Sequence, residues 1–247
     1  MNRIIGIVIV VVVIGILGVF TWLQLQSSDA GNNANYKQYD PRTLIGGNDD
    51  TGNIPDHVKG NKDADIIIFE YADYQCSGCA SVRAKVDELA KKYKDDIAIV
   101  QRSYVLSYHT NGKAASQAAE AAGFQGYWAE YGELLFKNQN EWFSSDVAER
   151  TAYFTDYFKK VAGDKGDVDK FLADAESDAT AAKVNFDIAM GKNAGEEIYY
   201  TPAFFMDGVF IDWANNSEGK AKIINTEKKD FVEYMSDLIN AKLSRQD

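Results

Sequence analysis

Apolar positions along this chain change rhythm several times, and each change predicts an element. Residues 4–23 form one uncharged apolar run. Ile66-Ile67-Ile68-Phe69 is a much shorter one, of the kind made by a strand buried on both faces, and Tyr71 to Gln75 break it. Val82, Val86, Leu89 and Tyr93 then recur at helical spacing. After a charged turn at Lys91–Asp96, Ile97, Ile99 and Val100, followed by Tyr104-Val105-Leu106, predict a second strand beside the first, reached across the helix. From Gly112 to Ala194 the pattern is almost all helical, with an alanine-rich helix at Ala114–Gly123 and another at Tyr127–Gln139 that turns at Asn138. Further starts are expected at Asp146, at Asp167 and Asp169, and at Asp178, the last helix ending at Gly191. Strand signals return over Glu197–Met206, Asp207-Gly208 is a hairpin signal, and Val209-Phe210-Ile211 returns. Thr226 is expected to cap a final helix carrying Phe231, Tyr234, Met235, Leu238 and Ile239. The order is strand, helix, strand, helical insert, hairpin, helix, which is an α/β chain with a helical lobe set into it.

The first run is long enough to cross a bilayer as one helix, with Trp22 at the far interface. Arg3 precedes it, and the first charge after it is Asp29, so the N-terminus is expected in the cytoplasm and the rest outside the membrane. A cleaved signal peptide is the rival reading. The run is long for that, and Ser28-Asp29-Ala30 is a weak cleavage signal. Residues 25–60 are rich in Asn, Asp, Gly and Ser and read as a tether, with at most a short strand at Thr43–Ile45. The expected organisation is a signal-anchor at 1–24, the tether at 25–60, the first part of an α/β domain at 61–110, a helical insert at 111–194 and the second part at 195–247.

Composition narrows the function classes. The 247 residues carry a formal charge of −11 with no basic patch, which argues against a nucleic-acid partner. Two cysteines are too few for a disulfide-stapled small fold.

Those two, Cys76 and Cys79, stand at the junction from the buried strand to the amphipathic helix. Unpaired N–H groups and a positive partial charge at a helix N-terminus favour thiolate over thiol, so Cys76 is expected to be a nucleophile near neutral pH. Cys79, one turn on, can close a disulfide with it, and such a pair passes disulfides through a mixed-disulfide intermediate. Zinc is the other use of Cys-x-x-Cys. A structural site needs four ligands, and only His57 and His109 remain as partners of that kind. A purely structural disulfide would gain little from so short a loop. The redox reading is favoured, with no metal or other cofactor. Pro202 lies in a strand-like stretch, where proline is normally excluded. A cis bond after Thr201 and an edge-strand proline both accommodate it.

Four ordered motifs carry a resemblance over residues 56–240. They are Phe69-Glu70-Tyr71-Ala72-Asp73-Tyr74-Gln75-Cys76-Ser77-Gly78-Cys79, Ala118-Ala119-Glu120-Ala121-Ala122-Gly123-Phe124-Gln125-Gly126, Leu134-Leu135-Phe136-Lys137-Asn138-Gln139, and Thr201-Pro202-Ala203-Phe204-Phe205-Met206-Asp207-Gly208. Together they resemble the DsbA-like thiol–disulfide oxidoreductases of exported bacterial proteins. The resemblance implies a thioredoxin fold interrupted by a helical domain, with Pro202 cis and facing the disulfide, and Thr201 presenting its backbone to substrate. It implies Cys76 as exposed nucleophile, Cys79 as buried resolver, and Glu70 as a buried acid that relays a proton for Cys79. Read without the resemblance, Glu70 is a strand-end carboxylate in water. Strong oxidants of the family carry Pro-His between the cysteines; here Ser77-Gly78 supplies a hydroxyl and no charge. His109 reads as structural.

The function expected is a membrane-tethered oxidase that introduces disulfides into reduced or unfolded exported proteins and is reoxidised by a membrane redox partner. A reductase or isomerase on the same fold is the second reading. A non-redox tethered module that holds unfolded chains is the third.

Overall fold

The computed structural model describes residues 36–195, 198–213 and 230–245. The chain divides into two compact units, Met1–Gln38 and Tyr39–Asp247. Of the first, the described part is a 3-10 turn at Tyr36–Gln38. The expected anchor at 1–24 and the expected cap at Thr226 lie outside the described residues. Among the described residues no helix is long and apolar enough to cross a membrane.

The second unit is built on a five-stranded sheet: β1 (His57–Gly60), β2 (Ile66–Ala72), β3 (Ile97–Ser103), β4 (Ala203–Met206) and β5 (Val209–Ile211), in the order β1-β3-β2-β4-β5. The central pair, β2 and β3, is parallel, with Ile68 opposite Ile99 and Glu70 opposite Gln101. β1 joins β3, β4 joins β2, and β5 joins β4, all antiparallel. The β4–β5 turn is the expected Asp207-Gly208, with φ of 50° and 80°; both residues are left-handed, as a tight hairpin matching strand twist requires.

Side-chain alternation divides the sheet into two faces. Ile66, Ile68, Ile97, Ile99, Phe204 and Met206 meet α1 (Ser77–Lys92) and the last helix (Phe231–Leu243) in one core cluster. The helical lobe follows β3 as α2 (Gly112–Gly123), α3 (Trp128–Lys137), α4 (Gln139–Trp142), α5 (Val147–Ala162), α6 (Val168–Ala175) and α7 (Asp178–Lys192). Its core holds Tyr131, Leu135, Trp142, Tyr157, Phe158 and Phe171 around the buried alanines of α2, whose small side chains let neighbouring helices approach closely. Asp146 and Asp167 cap α5 and α6 as expected, each accepting a backbone N–H three residues on. α7 starts at Asp178 as expected, and Ser177 caps it by accepting the Thr180 N–H. Cys79 and Ala72 belong to the lobe's core, while Val82 and Val86, one and two turns on, belong to the sheet's. The start of α1 is thus wedged between the two cores.

Four expectations need correction. β2 does not stop at Phe69 but runs through Glu70 and Tyr71 to Ala72, held by pairing to β3 on one side and β4 on the other. Tyr104-Val105-Leu106 is outside the strand, since β3 ends at Ser103. The folded unit begins at Tyr39, so the tether expected over 25–60 is too long. His57–Gly60 is an edge strand, and Arg102 on β3 donates to the carbonyls of Pro41 and Thr43, which seats that stretch without making Thr43–Ile45 a strand. Arg102 is itself held by Asp56, and Asp56 by Lys183, in a buried net that Asp187 completes. The final helix starts at Phe231, after Asp230.

Candidate active site

Cys76 occupies the N-cap of α1 with extended backbone (φ −81°, ψ 121°). Cys76 Sγ is half-buried and lies 3.2 Å from the Thr201 carbonyl, to which it donates only when protonated. Cys79 is one turn into the helix and 1% exposed. Both thiols are free. The two sulfurs are driven in opposite directions. The Cys76 thiol is brought from its ordinary 9 down to about 5, chiefly by the hydrogen bond it receives from Cys79. Burial opposes this, while the Thr201 side-chain hydroxyl and the backbone N–H groups of Cys79 and Gly78 add to it. Cys79 is pushed well above its ordinary value, first by burial and then because its proton is the one Cys76 uses. The expectation named the helix N-terminus as the main support of the thiolate. Its amides contribute, but the larger share comes from the second thiol of the pair.

The Thr201–Pro202 bond is cis, the alternative that the resemblance implied. Thr201 and Pro202 are both buried. This loop packs closely on the dipeptide between the cysteines: a Cβ on Gly78 would lie 3.1 Å from the Thr201 carbonyl and 3.5 Å from both Pro202 Cδ and Cys76 Sγ. Glycine at 78 therefore lets the cis-proline loop approach Cys76. The buried Thr201 hydroxyl faces the two sulfurs and lowers the pKa of both, though no well-aligned hydrogen bond reaches it.

Glu70 is 1% exposed, so the reading of it as a solvated strand end is wrong. It shares the α1 face of β2 with Ile66 and Ile68, which puts its carboxylate under the helix. Its partner there is Arg83 at 3.4 Å, one turn beyond Cys79. Arg83 also donates to Gln101 at 2.9 Å and to Asp87 at 2.7 Å, and Lys59 reaches Asp87 at 2.5 Å. Burial raises the Glu70 carboxyl above its ordinary value even so, although Arg83 and Lys59 pull it down.

Several residues of the site escaped sequence reasoning. Asp73, fully buried, accepts the Gln75 N–H at 2.8 Å and the Leu106 N–H at 2.9 Å, and meets His109 Nδ1 at 2.7 Å. Its own N–H donates to Cys79 Sγ at 3.4 Å. Gln75 accepts from the Asn111 N–H and donates to the Phe143 carbonyl, both at 2.7 Å, so the lobe grips the turn before Cys76. The signal available was Asp73 and Gln75 directly before the cysteines; their partners lie more than 30 residues away. The histidines that a zinc reading would need are both engaged elsewhere: His57 pairs with Glu120 and stacks on Trp128, and His109 pairs with Asp73.

A family model described as thioredoxin matches residues 52–226. Among curated proteins, the Na(+)/H(+) antiporter NhaA of Herminiimonas arsenicoxydans is 32% identical over 154 residues, covering 62% of this chain and 22% of that protein. The chain thus spans about a fifth of the length of that relative. Among solved structures, BdbD from Bacillus subtilis superposes with a TM-score of 0.58 at 19% identity, covering 81% of this chain and 98% of that one. DsbA of Chlamydia trachomatis superposes with a TM-score of 0.57 at 12% identity, covering 76% and 91%.

Proposed function

Taking as premise that the chain belongs to the thioredoxin family, we propose that it is a thiol–disulfide oxidoreductase of the DsbA type, working as an oxidase of exported proteins through the Cys76–Cys79 pair. The observation that carries this is the division of labour between the two sulfurs: a half-buried Cys76 held as thiolate, and a buried Cys79 held as thiol, in front of Pro202. A stabilised thiolate stabilises the reduced protein, and a stabilised reduced form makes the disulfide form an oxidant.

In the oxidase direction a substrate thiolate attacks Cys76 Sγ, the accessible sulfur. The substrate's second thiol then displaces Cys76, which leaves as the thiolate the site favours. Thr201, whose carbonyl faces Cys76, is positioned to align the substrate backbone there, and Ser77-Gly78 leaves room for it. The uncharged run at 4–23 supports a single-pass anchor that holds the domain on the extracytoplasmic side, where newly exported chains emerge and where a membrane partner returns the pair to the disulfide.

The test is a trap. With Cys79→Ser, Cys76 should form mixed disulfides that nothing within the site resolves, visible as substrate-sized adducts on non-reducing gels. The adducts should stay with the membrane fraction after an alkaline carbonate wash. Cys76→Ser should give none. Adducts in neither variant would refute the activity; adducts released by carbonate would refute the anchor.

A further inference from the structure

The reaction proposed above leaves one charge without an obvious host. When a substrate thiolate attacks Cys76, a sulfur–sulfur bond forms between substrate and Cys76, and the Cys76–Cys79 bond breaks. Its electron pair departs on Cys79. The substrate dithiol supplies two electrons overall; its first proton goes to solvent, and its second ends on Cys79. Between those events Cys79 is a thiolate at a position 1% exposed, where water cannot solvate it.

One backbone donor faces that sulfur: the Asp73 N–H, 3.4 Å from Cys79 Sγ. The peptide unit that carries it is held at its other end, where the Ala72 carbonyl accepts the Tyr104 N–H at 2.8 Å. The Asp73 side chain is pinned as well. Its Oδ1 takes the Gln75 N–H, and its Oδ2 takes the Leu106 N–H and His109 Nδ1. Gly112 leaves no slack on the remaining side, since a Cβ there would come within 2.7 Å of Asp73 Oδ1. His109 is the one side chain in this cradle, and it is itself walled in by Tyr108 and Phe143.

We propose that His109, acting through Asp73, is a positioning residue for the thiolate that departs on Cys79: it fixes the carboxylate, the carboxylate fixes the turn, and the turn aims the Asp73 N–H at the sulfur. This inference rests on the redox reading above. It gives His109, read from sequence as structural, a part in the bond-breaking step.

The experiment compares the full-length oxidised chain with His109→Leu and His109→Gln by stopped-flow tryptophan fluorescence, with dithiothreitol as attacking thiol. Rates are taken under conditions where thermal melts show each protein folded. His109→Leu removes the donor to Asp73 and should slow the attack about tenfold, the effect of losing one well-aimed hydrogen bond to a developing charge. His109→Gln keeps an amide donor and should restore the rate to within about threefold of the original. A merely structural histidine would lower the melting temperature without slowing attack on the folded protein. Attack in His109→Leu within about twofold of the original would overturn the proposal, as would equal slowing in both variants. An original protein inert to the dithiol would overturn the redox reading and this inference with it; an active original with unchanged variants would overturn this inference alone.

Discussion

At pH 7 the reduced protein should resist urea better than at pH 5, measured as its stability margin over the oxidised protein. The cause is Cys76. Its thiol ionises near 5 in the folded reduced state against an ordinary 9, and the oxidised protein has no such group. A depressed folded pKa contributes stability that is fully present above the ordinary value and is lost as pH falls through the folded one. The window is therefore about pH 5 to pH 9. Each pH unit inside it would be worth about 1.4 kcal/mol for a group sealed from water, and about 1 kcal/mol for a sulfur that water partly reaches. The margin of reduced over oxidised should grow by about 2 kcal/mol from pH 5 to pH 7. The short disulfide loop adds a term that pH does not change, so the slope isolates the thiolate. A margin that is flat with pH, or that grows on acidification, would mean Cys76 is not held as a thiolate.

The second large effect is expected at Arg83. Its side chain is 5% exposed and is the hydrogen-bonding partner of Glu70, which is 1% exposed. Arg83→Leu leaves the carboxylate buried without its cation, a change that costs about 3–5 kcal/mol in comparable buried pairs. The sign with pH follows from Glu70. Burial already raises its carboxyl above the ordinary 4.5, and loss of Arg83 raises it further. A raised carboxyl is tolerated when protonated, so the deficit should be smallest below pH 4.5 and grow above it. Adding Glu70→Gln should recover part of the loss. Urea melts of the single and double variants decide, and a loss under about 1 kcal/mol with no pH dependence would exclude a buried ion pair.

What the sequence made legible was what is local in the chain. Ile66–Phe69 and Ile97–Val100 are short apolar runs with a helical pattern between them, and they form the parallel pair with α1 across it. The cysteines and Pro202 stood out by residue type and neighbours, whereas Thr201 entered only through the resemblance. Residues whose meaning comes from distant partners were not visible. β1 is His57-Val58-Lys59-Gly60, which has no apolar alternation and is a strand because the free edge of β3 pairs with it. Glu70 and Tyr71 look like the end of an apolar run, yet sheet neighbours on both sides carry the strand through them. Asp73 and His109 are 36 residues apart, and Arg83 meets Glu70 only because α1 folds back over β2. The nucleophile was readable, then, while the groups that set its partner's charge were assembled by the fold.

The central claim is that Cys76 and Cys79 form a redox couple poised to oxidise. Equilibrating the full-length chain with glutathione at several ratios of reduced to oxidised, and following tryptophan fluorescence, measures it directly. On the proposed reading, a thiolate at Cys76 makes the couple oxidising, and the lack of a cation in Ser77-Gly78 keeps it short of the strongest oxidants. The expected result is one reversible transition with a potential between about −120 and −200 mV. A potential near about −270 mV, the range of thioredoxin, or the absence of any reversible transition, would contradict it.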